Sequence, residues 1–283
     1  MKIAALVIEY RSPEKTAQCI ASLLTENSCD IALVVDNSDD NGRTAAQLLS
    51  LVNNDPRVIV ESSPRNLGFA SAVNIGIMRL RRSSTAARAL IINNDAVAEA
   101  GVVSALSDAL EAEKRAVIAF PSLIHAGSPL AEVYYQRWTA SLHSKAGWGR
   151  FRVPRGCCLM VDLDRWDYPL FDDRFFMYGE EIELGWRLRK EDTLLFVPGC
   201  LVHHEGSATS VRGSDFYEEH TAAAHWLLSE LLIENRREAV FIAFSRAIAL
   251  TMRGIMRSVR LRSFAPWRGV WRGRRRAREA LFR

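Results

Sequence analysis

The sequence lacks the glycine-rich signatures of two large nucleotide-binding classes. No Walker loop occurs in its 283 residues, and no GxGxxG motif follows a predicted strand. Because these loops hold the phosphates of nucleoside triphosphates and of dinucleotides, their absence disfavours P-loop phosphoryl transfer and dinucleotide-dependent redox chemistry.

Cysteine is scarce, and its spacing is not that of a metal site. The five cysteines are odd in number, and Cys157 and Cys158 are adjacent rather than separated as in a CxxC pair; the other three are Cys19, Cys29 and Cys200. A disulfide framework or a zinc site would need a different pattern. We therefore expect free thiols in a reducing cytosol.

Long apolar runs are also missing. The longest, Ala239–Met252, is shorter than the roughly 20 residues that span a bilayer and is interrupted by Arg246. The first residues run directly into a strand-like pattern, so we expect no signal peptide. These features predict a protein without a transmembrane segment.

Acidic residues are nearly absent from the C-terminal end. Residues 251–283 hold eleven arginines and one glutamate, a net charge of +10, whereas the remaining 250 residues have a net charge of −6. The overall composition, 48% hydrophobic and 25% charged, is that of an ordinary globular protein. The uneven charge predicts an anionic partner for the tail.

Apolar runs alternate with helix-period segments in the first 120 residues. Strands are predicted at 3–8, 31–35, 58–61, 89–92 and 116–120, and helices at 13–24, 44–52, 69–80 and 102–111. This alternation predicts an α/β fold with a mixed, mostly parallel sheet flanked by helices.

The pattern changes after residue 121. Residues 122–154 hold scattered glycines, prolines and aromatics and predict a long irregular excursion of the kind that forms binding loops. Strands at 156–161, 194–197 and 201–203 and a helix at 179–189 follow, and everything from residue 215 is predicted to be helical. We divide the chain into a main domain, 1–214, with halves 1–120 and 121–214, and a helical basic extension, 215–283.

A polar tip follows the fourth predicted strand. Residues 89–92 lead directly into Asn93, Asn94 and Asp95. Ligands of parallel sheets collect outside the carboxyl ends of the strands. A carboxylate beside two amides suits Mg²⁺ or Mn²⁺ held together with substrate phosphates. An ordinary Asn/Asp turn is the alternative.

Several further motifs stand at predicted strand ends or in tight loops. They read VIEYRSPEKTAQCIASLL, VVDNS, NLGFASAVNIGI, LIINNDA, RGCCLMVD, LFDDRFFMYGEEIELGWRLRK and LVHHEGS. Their order and spacing resemble the family 2 inverting glycosyltransferases with the GT-A fold, in the rhamnosyltransferase-like branch. The resemblance covers roughly residues 1–210. It implies a GT-A catalytic domain over 1–214, with a nucleotide-sugar-binding half followed by an acceptor and catalytic half.

The resemblance implies a metal site and a catalytic base. Asp95 resembles the acid of the family's D-x-D-like motif that binds Mg²⁺ or Mn²⁺, with Asn93 in place of the first acid. His203 resembles a late metal-ligand histidine, and His204 is the alternative. Glu181 resembles the base that deprotonates the acceptor hydroxyl, and Glu180 is the next candidate.

The predicted base departs from the family pattern. The usual residue there is Asp, and the extra methylene of Glu181 moves the carboxylate by about 1.5 Å, a displacement that can cost large rate factors. Alternatively, Glu180, Glu181 and Glu183 only oppose the macrodipole at a helix start. Arg187 is spaced to pair with Glu183 across one helical turn.

The resemblance also implies a pocket for a dTDP or UDP sugar. Asp36 would accept the imide N–H of the pyrimidine, although an Asx turn is the alternative. Glu9, where the family more often has Asn or Thr, and Tyr10 would line the same pocket. The remaining predicted contacts to the nucleotide sugar are Arg65, Asn66, Gly68, Asn74, Asn93 and Asn94.

The basic extension has the pattern of an amphipathic helix. Apolar residues recur at helical spacing at Ile248, Met252, Ile255, Met256 and Val259, and a second stripe contains Arg246, Arg253, Arg257 and Arg260. With Trp267 and Trp271, this pattern is typical of helices that lie in an anionic membrane interface. A soluble docked helix with a solvated basic face is the alternative. Nucleic-acid binding is disfavoured, because the main domain is acidic and no nucleic-acid motif is present.

We therefore expect a metal-dependent inverting glycosyltransferase, peripheral on the inner face of the bacterial cytoplasmic membrane. It would move a sugar, with L-rhamnose from dTDP-rhamnose the first choice, to a lipid-linked or surface-polysaccharide acceptor. Two alternatives stay open. One is a relative that binds a nucleotide sugar without turnover, motivated by Glu9, Asn93 and Glu181. The other is a membrane or nucleic-acid adaptor that uses the arginine tail.

Overall fold

The computed structural model describes residues 2–26, 29–83, 86–125, 127–191, 193–206 and 211–282. The strands in these ranges are β1 (Ile3–Glu9), β2 (Ile31–Asp36), β3 (Val58–Ser62), β4 (Arg88–Asn93), β5 (Ala96–Ala98), β6 (Ile118–His125), β7 (Ser128–Leu130), β8 (Val133–Gln136), β9 (Ser141–His143), β10 (Arg150–Val153), β11 (Cys158–Asp162) and β12 (Leu194–His204). The α-helices are α1 (Pro13–Ala21), α2 (Arg43–Leu51), α3 (Phe69–Ser83), α4 (Val102–Ala112), α5 (Glu180–Leu188), α6 (Asp215–Leu231), α7 (Arg236–Leu261) and α8 (Ala265–Leu281).

A central sheet organises the main domain and confirms the predicted fold class. Its strand order is β3-β2-β1-β4-β11-β6-β12-β5, with β7 paired to β6. Strands β1 to β4 pair in parallel, whereas β11 runs antiparallel to both of its neighbours. Strand β1 is apolar on both faces, because Leu6 enters one hydrophobic cluster and Ala5 and Val7 enter the other. Helices therefore cover both sides of the sheet, as buried parallel strands require.

The region predicted to be irregular, residues 122–154, contains four short strands, so that expectation was wrong. Strands β8, β9 and β10 form a small antiparallel sheet in the order β10-β8-β9. Val133, Tyr135, Phe151 and Val153 are its buried side chains. Strands of three or four residues are too short for alternation to identify them in a sequence.

Strand β12 replaces the two strands predicted at 194–197 and 201–203. It pairs with β6 on both sides of a bulge, since Val197 and Leu201 oppose consecutive residues of β6. Strand β5 was not predicted, because three residues give no periodic pattern.

Helices α6 to α8 pack against one another and against the main domain. Leu228 and Leu250 belong to the same hydrophobic cluster as the strands of the main domain, and the Trp226 indole donates to the carbonyl of Val270 at 3.0 Å. Ser214 caps α6 by accepting a hydrogen bond from the Tyr217 N–H. One hydrophobic cluster thus contains residues from both sides of position 214. The division of the chain at that residue stays a prediction.

Helix α7 turns a buried arginine towards the main domain. Arg246 is fully buried and donates to the carbonyls of Arg137 at 2.6 Å and His225 at 3.1 Å. It also donates to the Tyr135 hydroxyl at 3.1 Å. These contacts attach α7 to strand β8 and to α6.

Two more arginines of the predicted basic stripe face inward. Arg253 donates to His225 Nε2 at 2.9 Å, and Arg257 pairs with the carboxylate of Glu218 at 2.5 Å. The expectation that this stripe faces an anionic partner or solvent therefore fails for Arg246, Arg253 and Arg257. Charge-assisted hydrogen bonds to the protein body account for their orientation.

Helix α7 is longer than the apolar run in the sequence suggested. In the described ranges it is the one helix long and apolar enough to cross a membrane by length and composition, with 26 residues and a mean hydropathy of 1.5 over 18 of them. Only 22% of that window is buried. The apolar run Ala239–Met252 covers only the middle of α7 and therefore underestimates its length.

We expect Arg246→Ala to lower the free energy of unfolding by about 3 kcal/mol, because it removes both the packing of a buried side chain and its hydrogen bonds. The melting temperature, followed by circular dichroism, should fall by about 6–12 °C. Arg260→Ala, on the exposed side of the same helix, is the control and should melt like the wild type. Equal melting of all three proteins would contradict the buried role of Arg246.

Candidate active site

A cleft of about 590 Å³ opens at the carboxyl ends of strands β1 to β4. The first turn of α5 and the end of β12 also contribute to its walls. The residues predicted from the sequence that line it are Tyr10, Asn66, Gly68, Asn93, Asn94, Asp95, Glu181 and His204. The cleft thus brings together residues from five separate segments of the chain.

The end of β4 meets the end of β12 at one corner of this cleft. His204 Nε2 lies 3.1 Å from Asp95 Oδ1 and 3.3 Å from Asn93 Nδ2. His203 points away and places its Nε2 2.8 Å from the Glu99 carboxylate, because successive residues of a strand point to opposite faces. Of the two candidate histidines, the structure brings His204 to Asp95. Ser207 of the same motif lies outside the described residues.

Glu9 lies behind Asn94 and does not line the cleft. Its buried carboxylate accepts hydrogen bonds from the Ser12 N–H, the Thr16 hydroxyl and, at 3.4 Å, the Asn94 amide. Burial raises the pKa of Glu9, and these hydrogen bonds oppose the shift. Glu9 therefore fixes the start of α1 and orients Asn94.

Three other predicted contacts to the nucleotide sugar also lie outside the cleft. Asp36 is buried at the end of β2 and accepts a hydrogen bond from the Ser62 hydroxyl at 3.2 Å. The Asn74 amide bonds the backbone of Phe171 in both directions, at 2.7 and 3.1 Å. Arg65 is exposed. Direct contact of these side chains with a nucleotide stays a prediction.

Asn37 lines the cleft, whereas the sequence predicted that the preceding residue, Asp36, would do so. Its side-chain amide donates to Asn66 Oδ1 at 3.0 Å and to the Gly68 carbonyl at 3.1 Å. Asn37 thereby fixes the loop before α3. The sequence signal that could have identified Asn37 is its position in the VVDNS motif.

Gly68 joins this loop to the segment before α5. Its φ of +80° lies in the left-handed region, and a Cβ there would overlap the carbonyl oxygen of Phe176. The next residue, Phe69, donates its N–H to that same carbonyl at 2.7 Å. Glycine at 68 permits this close backbone approach.

Two adjacent glutamates begin α5 after a left-handed Gly179. Glu181 is half-buried and lines the cleft, whereas Glu180 is buried, and one of its oxygens has no hydrogen-bond partner among the described residues. Burial raises the pKa of both carboxyls, and the charge of Glu181 raises the pKa of Glu180 further. A side-chain hydrogen bond between the two carboxyls also raises the pKa of Glu180 and lowers that of Glu181, so Glu180 has the stronger tendency to hold a proton.

The predicted pair on α5 is confirmed. Arg187 Nε lies 3.1 Å from Glu183 Oε1, and the same guanidinium donates to the carbonyl of Leu170 at 2.7 Å. This contact fixes the rotation of α5 and with it the position of Glu181.

Residues 5–157 match the family model described as Glycosyl transferase family 2, which is more than half of the chain. The chain belongs to glycosyl transferase family 2. It is 28% identical over 242 residues to an N-acetylglucosaminyl-diphospho-decaprenol L-rhamnosyltransferase of Mycobacterium tuberculosis, which covers 72% of this chain and 74% of that protein.

Solved glycosyltransferase structures show the same fold at low identity. GalNAc-T7 with UDP, GalNAc and Mn²⁺ has a TM-score of 0.62 at 13% identity over 81% of this chain, which spans about half (48%) of GalNAc-T7. The mannosyltransferase PcManGT from Pyrobaculum calidifontis with GDP-Man and Mn²⁺ has a TM-score of 0.55 at 14% identity, with coverage of 99% and 74%. TarS 1–349 of S. aureus with UDP-GlcNAc also gives 0.55, at 13% identity, with coverage of 89% and 72%. These likenesses confirm the GT-A fold of this glycosyltransferase.

The corner at Asp95 fits a divalent ion that is bound by protein side chains and by a substrate phosphate together. No group of three or more His, Cys, Asp or Glu side chains that could hold a metal occurs in the described part of the chain. Asp95 and His204 offer one oxygen-bearing and one nitrogen-bearing side chain. Mg²⁺ and Mn²⁺ sites in enzymes often combine few protein ligands with substrate phosphates. Both Asp95 and His204 suit such a site.

Two arginines in the cleft of this glycosyltransferase were missed in the sequence. Arg155 lines the cleft beside Glu181, and its charge lowers the pKa of that carboxyl against the effect of burial. Arg212, exposed between β12 and α6, lines another part of the wall. Arg155 opens the RGCCLMVD motif, whereas Arg212 lies in none of the recognised motifs. Both add positive charge where an anionic ligand would bind.

Two variants of Glu180 should separate its role from that of Glu181. Glu180→Gln keeps a neutral hydrogen-bond donor next to Glu181. We therefore expect the acidic limb of the pH profile of kcat/KM to stay in place. Glu180→Leu removes that donor from the carboxylate of Glu181, so the pKa of Glu181 should rise and the acidic limb should move to higher pH. Rates measured between pH 4 and 9 check this, and an inactive Glu180→Gln would contradict it.

Proposed function

We propose that this glycosyltransferase is a metal-dependent inverting enzyme that moves a sugar from a nucleoside diphosphate to a lipid-linked acceptor. The observation that carries the proposal is that Asp95, His204 and Glu181 line one cleft. The first two suit the diphosphate, and the third suits the acceptor hydroxyl. Family membership supplies the reaction class, and the cleft supplies the residues.

The sugar donor would lie along the strand ends. Asp95 and His204 would hold a divalent ion, Mg²⁺ or Mn²⁺, which supplies positive charge to the diphosphate. Arg212, in the segment between β12 and α6, would add to that positive charge. Tyr10 and Asn37 line the part of the cleft that follows β1 and β2, where the nucleoside would bind. This arrangement lets the protein position the leaving group before the acceptor arrives.

Glu181 would act as the general base. As the acceptor oxygen attacks the anomeric carbon, its proton passes to the Glu181 carboxylate, and the bond from that carbon to the diphosphate oxygen breaks. The nucleoside diphosphate leaves with the electron pair, and the configuration inverts. Glu180 behind it would, in its protonated form, donate a hydrogen bond that stabilises the carboxylate of Glu181.

The sequence relative and the surface of the protein support a proposal for the acceptor and the location. The mycobacterial relative is an L-rhamnosyltransferase named for an N-acetylglucosaminyl-diphospho-decaprenol acceptor. We propose L-rhamnose from dTDP-rhamnose as the first donor to test and a polyprenyl diphosphate-linked sugar as the acceptor. Such an acceptor would place the enzyme peripherally on the inner face of the cytoplasmic membrane.

A donor screen tests the proposal. The melting temperature is measured with dTDP-rhamnose, UDP-GlcNAc and GDP-mannose, each with Mn²⁺, with Mg²⁺ and with a chelator. A ligand that binds the folded protein raises the melting temperature by mass action, so one nucleotide sugar should do so only with metal. Release of its nucleoside diphosphate in the presence of acceptor completes the assay. If no nucleotide sugar binds with metal and none is consumed, the proposal fails.

The alternative of binding without turnover would give the thermal shift but no diphosphate release. Of its three motivating departures, Glu9 does not face the cleft, which weakens that alternative. The adaptor alternative has no support among similar proteins. The mycobacterial relative, GalNAc-T7, PcManGT and TarS are all glycosyltransferases.

A further inference from the structure

Helix α7 exposes a continuous apolar stripe along its length. Six large side chains spaced three or four residues apart are each between 45% and 74% exposed: Phe241, Phe244, Ile248, Met252, Met256 and Val259. We refer to these six residues as the α7 stripe. Monomeric soluble proteins rarely expose so continuous an apolar surface, and such patches mark interaction sites.

The orientation of the stripe is fixed by the opposite face of the helix. Arg246, Arg253 and Arg257 hold that face against Tyr135, His225 and Glu218. Rotating α7 to bury the stripe would expose the apolar side chains on its inner face and break these hydrogen bonds. The α7 stripe therefore points outward because the opposite face of the helix is held by these internal contacts.

The charge of the helices that carry and adjoin the stripe, α7 and α8, selects its partner. Residues 239–278 contain eleven arginines and no aspartate or glutamate. Arg260 lies on α7, and Arg272 and Arg278 lie on α8; all three are exposed. A second copy of the chain would bring like charges together, which is unfavourable. A bilayer with anionic headgroups would bury the apolar side chains and attract the arginines.

The stripe ends close to the active-site cleft. Leu261, the last residue of α7, has its side chain beside Gly213. Gly213 follows Arg212 directly, and Arg212 and Phe216 both line the cleft. A surface that meets the C-terminal half of α7 would therefore lie next to the cleft.

We propose that the α7 stripe is a docking surface for an anionic lipid bilayer, with α7 lying in the plane of the interface. The exposed arginines of α7 and α8 contact the headgroups, and the apolar side chains insert between them. The surface does not depend on the sugar-transfer chemistry, so a protein that fails to bind a nucleotide sugar would still dock. Its place beside the cleft is the geometry that a lipid-linked acceptor requires.

Vesicle co-sedimentation of the full chain tests the proposal. The vesicles contain either phosphatidylcholine alone or equal parts of phosphatidylcholine and phosphatidylglycerol. We expect the wild type to bind the anionic vesicles more tightly. The double variant Phe244→Ser, Met256→Ser should lose at least about tenfold in affinity for them. The matched control Leu51→Ser, Tyr168→Ser removes two exposed apolar side chains outside α7 and α8 and should bind like the wild type.

A charge variant separates the two contributions. The triple variant Arg260→Gln, Arg272→Gln, Arg278→Gln should lose about a hundredfold in affinity for anionic vesicles and keep its weaker affinity for neutral ones. Circular dichroism melts confirm that each variant is folded. The proposal is overturned if the wild type binds neither vesicle or if the serine pair binds like the wild type. It is also overturned if light scattering shows a wild-type dimer that the serine pair converts to a monomer, without vesicle binding.

Discussion

Glu181→Gln should reduce the rate of sugar transfer by about 10³-fold and leave the affinity for the sugar donor nearly unchanged. A general base contributes about 10²- to 10⁴-fold, and glutamine keeps the size of the side chain while removing its basicity. The structure supports this assignment, because Glu181 lines the cleft and its partner Glu180 is buried behind it. Initial rates with saturating donor and a thermal-shift titration measure the two quantities.

The neighbouring variant Glu180→Gln is the matched control and should retain most of the activity. Glu181→Asp is a second probe of distance, since it keeps the carboxylate but withdraws it by about 1.5 Å, enough for a loss between those of the other two variants. A Glu181→Gln enzyme within tenfold of the wild-type rate would remove Glu181 as the base.

Asp95→Asn should abolish the metal-dependent part of donor binding and lower the rate by about 10³-fold. Positive charge on a leaving diphosphate contributes several kcal/mol to the transition state. Asp95 is the carboxylate at the corner where His204 Nε2 lies 3.1 Å from its Oδ1. Few protein side chains at this corner could bind a metal. Removing the charge of Asp95 should therefore weaken metal binding more than removing the imidazole of His204 does. Melting curves with donor, with and without Mn²⁺, measure the binding, and donor consumption measures the rate.

The two adjacent histidines supply the control for this prediction. His204→Ala should weaken the metal-dependent shift, whereas His203→Ala removes a side chain that contacts Glu99 outside the corner and should leave the shift intact. If His203→Ala lost the shift and His204→Ala kept it, the assignment of the corner would be wrong.

The gathering of polar residues at strand ends could be predicted from sequence. Strands β1, β2 and β4 are apolar runs followed directly by polar residues, and parallel strands bring their carboxyl ends to one edge. Asn94 and Asp95 were therefore predicted at this edge, the family resemblance added Tyr10 to the same site, and each of the three lines the cleft. The spacing of Glu183 and Arg187 likewise fixed their contact, since it depends on one helix alone.

The choice between His203 and His204 could not be predicted. Strand β12 has three residues, 198–200, without counterparts in β6. An odd number of extra residues reverses which side chains face the cleft, and the sequence does not mark where such a bulge falls. The sequence also does not decide which side chain at the end of β2 enters the cleft: Asn37 lines it and its neighbour Asp36 does not.

The orientation of α7 could not be predicted because its partners are distant in the sequence. The helical period correctly separated an apolar from a basic stripe, but it does not state which stripe faces the protein. That depends on His225 and on Tyr135, about 110 residues before Arg246. An amphipathic pattern is normally assigned with its apolar side inward, and the buried guanidinium groups reverse that rule here.

The hydrogen bond from Phe69 to the carbonyl of Phe176 has a consequence for protein engineering. It ties the loop after β3, in the first half of the main domain, to the segment that leads into Glu180 and Glu181. A chimaera that exchanged residues 1–120 for those of another family member, to change the nucleotide sugar, would therefore alter the support of helix α5 as well. Exchanging the segment around Phe176 together with the first half would preserve that backbone contact.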